Sequence, residues 1–316
     1  MIEMRPLGRS GLQTPRLVLG GNVFGATTRG EEAFAVLDRF VAAGGTMIDT
    51  ADVYSIWVPG HKGGESETLL GEWLRRRGRR DDVLIATKVG MLRGEGGEKL
   101  EGARIAAAAE ASLKRLGTDY IDLYYAHKDD EETPLEETLG AFDRLVKQGK
   151  VRVLGASNYS ADRLGKALEV SERMGTTPFT VLQPEYNLMT RREGLTPIRF
   201  EGALQQLCIE RRLGVLPFFG LASGFLTGKY RSEADLSKST RGDRVANYLN
   251  PLGMKVLEAL DEVAAETGAT LSQIALAWLA AQPGVTAPIA SANTAEQLEE
   301  LLGAMTIELS AEQLER

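Results

Sequence analysis

Eight short apolar runs are spaced along the 316-residue chain, and stretches with helical periodicity follow nearly all of them. The runs cover residues 17–19, 46–48, 83–87, 121–125, 151–154, 179–182, 214–217 and 287–290. Strands that alternate with helices pair in parallel through right-handed crossovers, and eight such units close into a barrel. The sequence therefore predicts an α/β protein in which residues 1–316 form one (β/α)8 TIM barrel domain.

Three segments depart from this alternation. The first 19 residues contain turn material at Gly8 and at Ser10-Gly11, which predicts an N-terminal β-hairpin that could plug the bottom of the barrel. Residues 54–64 follow the second strand, and residues 220–251 form a long loop after the seventh. Loops of that length inside a compact domain are usually functional, and both fall where the carboxyl ends of the strands open.

Composition excludes several classes of function. The net charge of −7 argues against binding to nucleic acid or to anionic membranes, and the basic run 75–80 lies at a predicted helix end, where cations complement the dipole. Cys208 is the single cysteine, so no intrachain disulfide forms; its helical context predicts a core-side thiol. We find no secretory leader and no apolar run of about 18 residues. These features predict a soluble, cytoplasmic protein.

Four side chains at or just beyond strand ends form a candidate catalytic set. Asp49, Lys88 and His127 end three successive predicted strands, and Tyr54 lies five residues beyond Asp49. Hydride reduction of a carbonyl needs a proton donor and a positive environment for the developing alkoxide. We expect Tyr54 to donate the proton and Lys88 to favour the tyrosinate. We expect Asp49 to hold the Lys88 charge in place and His127 to orient the carbonyl.

Each of these residues also has a plain structural interpretation. Asp49 would cap a helix, Tyr54 would be a loop aromatic, Lys88 a surface charge and His127 a structural hydrogen-bonding group. Their positions in a fold whose catalytic residues come from strand ends favour the catalytic interpretation. A metal-dependent barrel hydrolase is an alternative, but His61 and His127 are the only histidines and no His-x-His occurs. We predict no metal.

Several motifs together resemble the aldo-keto reductase superfamily, most closely the bacterial branch that also contains the potassium-channel β subunits. They are MIDTADVY at 47–54, GESE at 64–67, IATK at 85–88, DLYYAH at 122–127, GASN at 155–158, QPEYN at 183–187 and LTGKY at 226–230. The resemblance runs in order across nearly the whole chain. It implies a barrel, a nicotinamide cofactor across its mouth and an Asp-Tyr-Lys-His tetrad, whose four positions are all present here.

The cofactor site is expected to follow this family, because the chain has no Gly-x-Gly-x-x-Gly after its first strand and no P-loop spacing. The resemblance implies that Ser157, Asn158 and Gln183 hold the carboxamide, that Phe218 stacks on the ring, and that residues 219–224 wrap the pyrophosphate. The full set of expected cofactor contacts is Gly21, Asn22, Asp49, Ser157, Asn158, Gln183, Phe218, Phe219, Gly220, Leu221, Ala222, Ser223, Gly224, Lys229, Arg241, Ser291, Asn293, Gln297 and Glu300.

The adenosine end departs from the pattern of many members, which place an arginine near the position of Asn293 to bind the 2′-phosphate of NADPH. No arginine lies between residues 287 and 302. Arg241 in the long loop is a substitute, so we favour NADPH over NADH as the cofactor.

The sequence therefore predicts an NAD(P)H-dependent reductase of small-molecule aldehydes or ketones, with Val23, Phe24, Tyr54 and Trp57 lining the substrate pocket. A redox sensor or regulatory subunit that binds NADP(H) with little turnover is the alternative, because it would keep the same tetrad. The sequence does not indicate the physiological substrate, the stereochemistry or the oligomeric state.

Overall fold

A ring of parallel strands forms the centre of the molecule. The computed structural model describes residues 3–93, 99–191, 196–238 and 242–316. Within these ranges the strand order is β10-β3-β4-β5-β6-β7-β8-β9, and every pairing is parallel. The strands are β3 (Val18–Gly20), β4 (Met47–Asp49), β5 (Leu84–Val89), β6 (Ile121–Ala126), β7 (Val151–Ser157), β8 (Val181–Gln183), β9 (Gly214–Val215) and β10 (Ile289–Ala290).

Backbone hydrogen bonds between the segments around β9 and β10 close this ring. The Ile289 N–H donates to the Pro217 carbonyl at 2.8 Å, and the Thr286 N–H donates to the Val215 carbonyl at 2.9 Å. All eight apolar runs of the sequence contain or overlap one of the strands, and the prediction of a (β/α)8 barrel is confirmed.

A two-stranded antiparallel hairpin closes the amino-terminal end of the barrel, as the turn residues predicted. It consists of β1 (Met4–Pro6) and β2 (Gln13–Pro15). Leu7 and Leu12 in its connection are buried among the side chains that fill the barrel interior. Gly8 has φ +56°, and a Cβ there would lie 2.2 Å from the Gly214 nitrogen, so glycine is required for this close approach.

Helices surround the ring, and their apolar faces pack against its outer surface, as amphipathic periodicity requires. Side-chain caps fix several helix starts; Thr270, for example, forms a capping box with Gln273. The helices are α1 (Gly30–Ala42), α2 (Glu65–Arg77), α3 (Gly102–Leu116), α4 (Leu135–Lys147), α5 (Ala161–Met174), α6 (Ala203–Glu210), α7 (Gly242–Val245), α8 (Pro251–Thr267), α9 (Leu271–Ala281), α10 (Ala295–Gly303) and α11 (Ala311–Glu315).

The basic run at the end of α2 is largely taken up in ion pairs. Arg77 contacts Asp82 at 2.6 Å, and Arg80 contacts the buried Asp122 at 2.6 Å. Three of its arginines lie in the last turn of α2, as the sequence predicted, and Arg80 in addition binds the barrel wall. Cys208 is buried on the inner side of α6, which confirms its predicted core position.

The long loop after β9 has a small core of its own. It contains 3₁₀ turns at Ala222–Thr227, Glu233–Lys238 and Ala246–Tyr248, together with α7. Phe225, Leu226 and Tyr230 in this loop are buried against α8 and α9. This packing holds the loop over the open end of the barrel. Within the described ranges, no helix has the length and apolar character needed to cross a membrane.

Candidate active site

Lys88 lies at the centre of a buried polar cluster at the open end of the barrel. Its ammonium is fully shielded from solvent and donates to Asp49 Oδ2 at 2.6 Å, to the Thr50 carbonyl at 2.7 Å and to Tyr54 Oη at 2.9 Å. A lysine ammonium has three N–H donors, so these three bonds satisfy it completely. The buried charge is therefore both paired and fully hydrogen-bonded.

The positions of Asp49 and Lys88 follow from strand register. Asp49 on β4 pairs with Ala86 on β5, and Ala86 packs in the barrel interior. Side chains two residues apart on a strand share a face, so Lys88 also points inward, just above Ala86. Across the barrel, Gln183 at the end of β8 donates from Nε2 to Asp49 Oδ1 at 2.7 Å. Both carboxylate oxygens of Asp49 are thus held in place.

Tyr54 reaches this cluster from the loop after β4. Its backbone N–H donates to the Ala51 carbonyl at 3.1 Å, and its hydroxyl donates to Asp49 Oδ2 at 3.3 Å while accepting the bond from Lys88. Burial and then the Asp49 carboxylate hold the pKa of Tyr54 well above its ordinary value. The net shift is therefore opposite to the one expected from Lys88 by itself, although the Lys88 ammonium does donate to the phenolic oxygen. Tyr54 is a protonated phenol at neutral pH, as a proton donor must be.

The same burial acts on Lys88 in the opposite direction. It lowers the pKa of the ammonium, and the adjacent Asp49 carboxylate opposes this shift. The pair therefore behaves as the sequence predicted: a buried lysine tends to lose its proton, and Asp49 counteracts that tendency.

His127 contacts the cluster without joining its hydrogen bonds. Its ring packs edge-to-face on Tyr54, with 6.0 Å between the ring centroids, and its Nδ1 atom is buried without a partner among the described residues. Of the four candidate residues, Asp49, Lys88 and Tyr54 are thus joined by hydrogen bonds, and His127 meets them through ring packing. Burial, followed by the Lys88 charge, lowers the pKa of His127 well below its usual value. The imidazole is neutral at neutral pH and keeps one N–H donor.

Amide and hydroxyl groups cluster beside His127 at the ends of β7 and β8. Ser157 Oγ donates to the Gln183 carbonyl at 2.8 Å, and Asn158 Nδ2 donates to the His127 carbonyl at 2.8 Å. Asn158 has φ +56°, a left-handed conformation that asparagine tolerates better than most residues. The strand ends thus gather donors and acceptors next to the Tyr54–Lys88 pair.

The segment 218–224 after β9 is held in an unusual backbone conformation. Phe219, Ala222 and Ser223 all have positive φ, between 46° and 58°. Left-handed residues other than glycine cluster at ligand sites, where the surrounding structure stabilises them. Asn187 contributes here by donating from Nδ2 to the Phe219 carbonyl at 3.0 Å.

Two amides of this segment are used inside the loop itself. The Ala222 N–H donates to the Phe219 carbonyl at 2.7 Å, and the Gly224 N–H donates to the Leu221 carbonyl at 2.8 Å. Of the six N–H groups in residues 219–224, the segment expected to wrap the pyrophosphate, these two are therefore already bonded within the loop.

Comparison with known proteins adds the decisive observation. The Aldo/keto reductase family matches residues 16–316. The chain belongs to the aldo/keto reductase family. It is 34% identical to the L-glyceraldehyde 3-phosphate reductase of Escherichia coli, over 96% of this chain and 88% of that protein.

Two further relatives represent different branches. A probable voltage-gated potassium channel subunit beta of Oryza sativa is 32% identical, over 97% of this chain and 92% of its own. The aldo-keto reductase yakc [NADP(+)] of Schizosaccharomyces pombe is 33% identical, over 87% of this chain and 78% of its own. The resemblance seen in the sequence is thereby confirmed.

Aldo/keto reductases use a nicotinamide cofactor, and the residues of this family member fit one. A nicotinamide carboxamide needs both donors and acceptors, which Ser157, Asn158 and Gln183 supply. Phe218 lies beside them with a ring face suited to stacking, and its backbone N–H is tied to the Pro184 carbonyl at 2.9 Å. Within the described ranges, no three His, Cys, Asp or Glu side chains form a group that could hold a metal ion.

Four of the residues expected at the adenosine end of this aldo/keto reductase are joined in two pairs, and Glu300 is bonded to Thr270. Ser291 Oγ donates to Asn22 Oδ1 at 2.6 Å, which links the ends of the first and eighth barrel strands. The Asn293 N–H donates to Gln297 Oε1 at 2.9 Å, and Glu300 accepts from Thr270 at 2.9 Å. Arg241, expected at the 2′-phosphate, lies outside the described residues.

Among the remaining expected cofactor positions, Gly21 and Gly220 approach neighbouring groups closely, whereas Lys229 is exposed. Gly21 approaches the Asp49 backbone, because a Cβ there would lie 2.8 Å from the Asp49 carbonyl oxygen. Lys229 is exposed in the long loop, with its ammonium 5.1 Å from the centre of the Tyr230 ring. Gly220 packs against α9, where a Cβ would come within 3.1 Å of Leu276 and Leu279.

The residues expected to line the substrate pocket differ in exposure. Trp57 is 54% exposed and lies 6.1 Å from Tyr54 between ring centroids. Val23 and Phe24 are instead buried in the apolar core, and the Phe24 carbonyl accepts a bond from Ser55 Oγ at 2.9 Å. They support the loop from beneath and are not on its accessible surface.

Sequence reasoning missed a second buried polar group behind Lys88. Glu67 on α2 is fully buried, and Asp52 is 2% exposed. A signal was present, because Ser66 and Glu67 lie on the face of α2 that also carries its buried leucines. A charged residue on the apolar face of a helix requires a partner inside the protein.

Proposed function

We propose that this chain is an NADPH-dependent reductase that converts aldehydes or ketones to alcohols, with Tyr54 as the general acid. One observation carries the proposal: a neutral phenol accepts a 2.9 Å hydrogen bond from a buried ammonium at the open end of the barrel. Without substrate the hydroxyl proton of Tyr54 is donated to Asp49 Oδ2 at 3.3 Å, and a bound substrate carbonyl would accept it in place of the carboxylate.

The residues divide the work as follows. When bound, the reduced nicotinamide supplies hydride to the carbonyl carbon. Tyr54 gives its proton to the carbonyl oxygen, and the Lys88 ammonium compensates the charge that the phenolate then carries. Asp49 keeps Lys88 protonated, and the neutral His127 orients the carbonyl by donating one N–H to it. Ser157, Asn158, Gln183 and Phe218 would hold the nicotinamide ring.

The preference for NADPH draws on the relatives as well as on the residues. The yakc reductase and an aryl-alcohol dehydrogenase of Phanerodontia chrysosporium, 31% identical, both carry NADP(+) in their names. In this chain Lys229 and Arg241 would offer cations to the phosphates, and Asn22, Ser291, Asn293, Gln297 and Glu300 would hold the adenosine. We expect NADPH to support faster turnover than NADH.

A redox sensor that binds NADP(H) with little turnover is the second candidate. The similarity to the rice channel subunit beta over nearly the whole chain favours it, because a regulatory subunit on this barrel would keep the same polar cluster.

Steady-state oxidation of NADPH and NADH by the purified protein tests both candidates. A useful panel of carbonyls is 4-nitrobenzaldehyde, methylglyoxal and L-glyceraldehyde 3-phosphate, the last taken from the name of the Escherichia coli relative. Sustained multiple turnovers with NADPH support the reductase. Oxidation that stops after one equivalent of NADPH per protein, with every carbonyl in the panel, would contradict it and support the sensor.

A further inference from the structure

Behind Lys88 lies a second set of charged and hydroxyl side chains, which we call the rear cluster. Its members come from four elements and from the loop after β4, and they are Asp52, Glu67, Thr87, Arg115 and Tyr124. Glu67 accepts from Thr87 Oγ1 at 2.6 Å and from Arg115 Nε at 2.6 Å. The left-handed Gly64 gives the arginine its path, because a Cβ there would lie 2.5 Å from Arg115 Nε.

Asp52 is the member of the rear cluster that lacks an ion-pair partner among the described residues. Its side chain is 2% exposed, and its Oδ1 atom is buried without a hydrogen-bond partner in the same ranges. Its backbone N–H donates to the Lys88 carbonyl at 3.3 Å, which anchors it directly behind the catalytic lysine. The Tyr124 hydroxyl is likewise buried and unpartnered within those ranges.

The charges of this region balance only when Asp52 is neutral. Lys88 is paired with Asp49, and Arg115 is paired with Glu67. An ionised Asp52 would be a third buried carboxylate beside two cations, which is costly in an apolar interior.

The groups that face Asp52 act on it in opposite directions. Burial and the Glu67 carboxylate raise the pKa of Asp52 to about 7, against the opposing influence of Arg115 and Lys88. Burial and then the Asp52 charge raise the pKa of the Tyr124 phenol on β6.

We propose that Asp52 is a positioning residue for Lys88: when ionised, its carboxylate, buried behind the backbone of the lysine, stabilises the ammonium and so extends the pH range over which Lys88 stays charged. The proposal rests on the proposed carbonyl reduction, in which Lys88 must be an ammonium. A carboxylate nearby stabilises an ammonium: burial lowers the pKa of Lys88, and the Asp49 charge and then the Asp52 charge raise it.

The pH profile of kcat/KM distinguishes this role from a merely structural one. The variant Asp52→Asn keeps the shape of the side chain and removes its charge. We expect its alkaline limb to move to lower pH by roughly one unit, the size of shift that one nearby charge produces. Asp143→Asn is the matched control, since Asp143 is a buried carboxylate on α4 that binds Thr177 and Lys147. Its profile should match that of the unmodified protein.

A second measurement does not depend on turnover. In protein labelled with [15N]lysine, the Lys88 Nζ resonance, assigned with Lys88→Arg, reports the protonation of the amine directly. We expect Lys88 to deprotonate at lower pH in Asp52→Asn than in the unmodified protein; Asp52→Ser serves if the asparagine variant does not fold. Identical Lys88 titrations and identical alkaline limbs would overturn the proposal. Absence of turnover in every variant would instead count against the reductase and leave the lysine titration as the test of Asp52.

Discussion

The two ends of the barrel differ in the side chains that they bury, which are apolar at the closed end and charged at the open end. At the closed end the hairpin inserts Leu7 among apolar side chains, and Gly8 lets the backbone approach Gly214 closely. At the open end Lys88 and Asp49 are just as inaccessible and Tyr54 is partly exposed, but each buried charge is held by hydrogen bonds. Burial alone stabilises the first end, whereas the second is tolerable only because its polar groups are mutually satisfied.

The contrast extends to the backbone. Five left-handed residues other than glycine belong to the open end, namely Ser55, Asn158, Phe219, Ala222 and Ser223, whereas Arg212 lies at the closed end beside the left-handed Gly8. Strained conformations are thus concentrated where the family holds its cofactor. In barrels of this kind, residues at one end contribute mainly to stability and residues at the other end carry the chemistry.

The largest effect is expected at the open end. Tyr54→Phe removes the proposed proton donor and leaves the ring packing in place, so kcat should fall roughly 10³-fold, about 4 kcal/mol of barrier. NADPH affinity, measured by fluorescence quenching, should not change. Tyr159→Phe is the matched control, because that buried hydroxyl has no partner within the described ranges. Turnover within about tenfold of the unmodified enzyme would exclude Tyr54 as the acid.

The next effect concerns stability as a function of pH. A carboxyl with a pKa of about 7 in the folded state and about 3.9 unfolded holds its proton longer when folded, so unfolding releases a proton between these values. Stability is therefore lost as pH rises through that window. Asp52→Asn should remove this loss, a gain relative to the unmodified protein of up to about 4 kcal/mol at pH 8 compared with pH 4.

Urea denaturation of both proteins at several pH values measures this difference. Parallel curves of unfolding free energy against pH would show that Asp52 titrates normally. The comparison uses slopes, so a pH-independent cost of the substitution itself does not affect the conclusion.

At the closed end a substitution should affect stability and spare the chemistry. Leu7→Ala leaves a cavity beneath the barrel and should cost about 2–4 kcal/mol of unfolding free energy, while kcat per folded molecule remains unchanged. Chemical denaturation and steady-state kinetics on the same preparation check both halves. A large fall in kcat without loss of stability would break the division between the two rims.

The smallest effect is expected at the cofactor's adenosine end. Ser291→Ala removes the bond to Asn22, and the Kd for NADPH should rise about fivefold, roughly 1 kcal/mol. Ser310→Ala is the matched control, since that hydroxyl caps the distant α11. An unchanged Kd in Ser291→Ala would separate this pair of side chains from the cofactor.

Local sequence information was sufficient for the barrel and for the choice of candidate residues. Apolar runs and helical periodicity are properties of neighbouring residues, and the parallel ring follows from their alternation. The strand-end positions of Asp49, Lys88 and His127 were predictable for the same reason. The turn residues Gly8 and Gly11 likewise indicated the hairpin. These features required no knowledge of which distant side chains meet.

The features that the sequence did not predict depend on contacts across the barrel. The edge packing of His127, the burial of Phe24, the raised pKa of Tyr54 and the isolation of Asp52 each arise where several elements converge. Burial and neighbouring charges control a protonation state more strongly than residue type does, and both are set by three-dimensional packing. The periodic pattern therefore specifies the barrel, while the electrostatics of its open end exist only once the strands and helices have assembled.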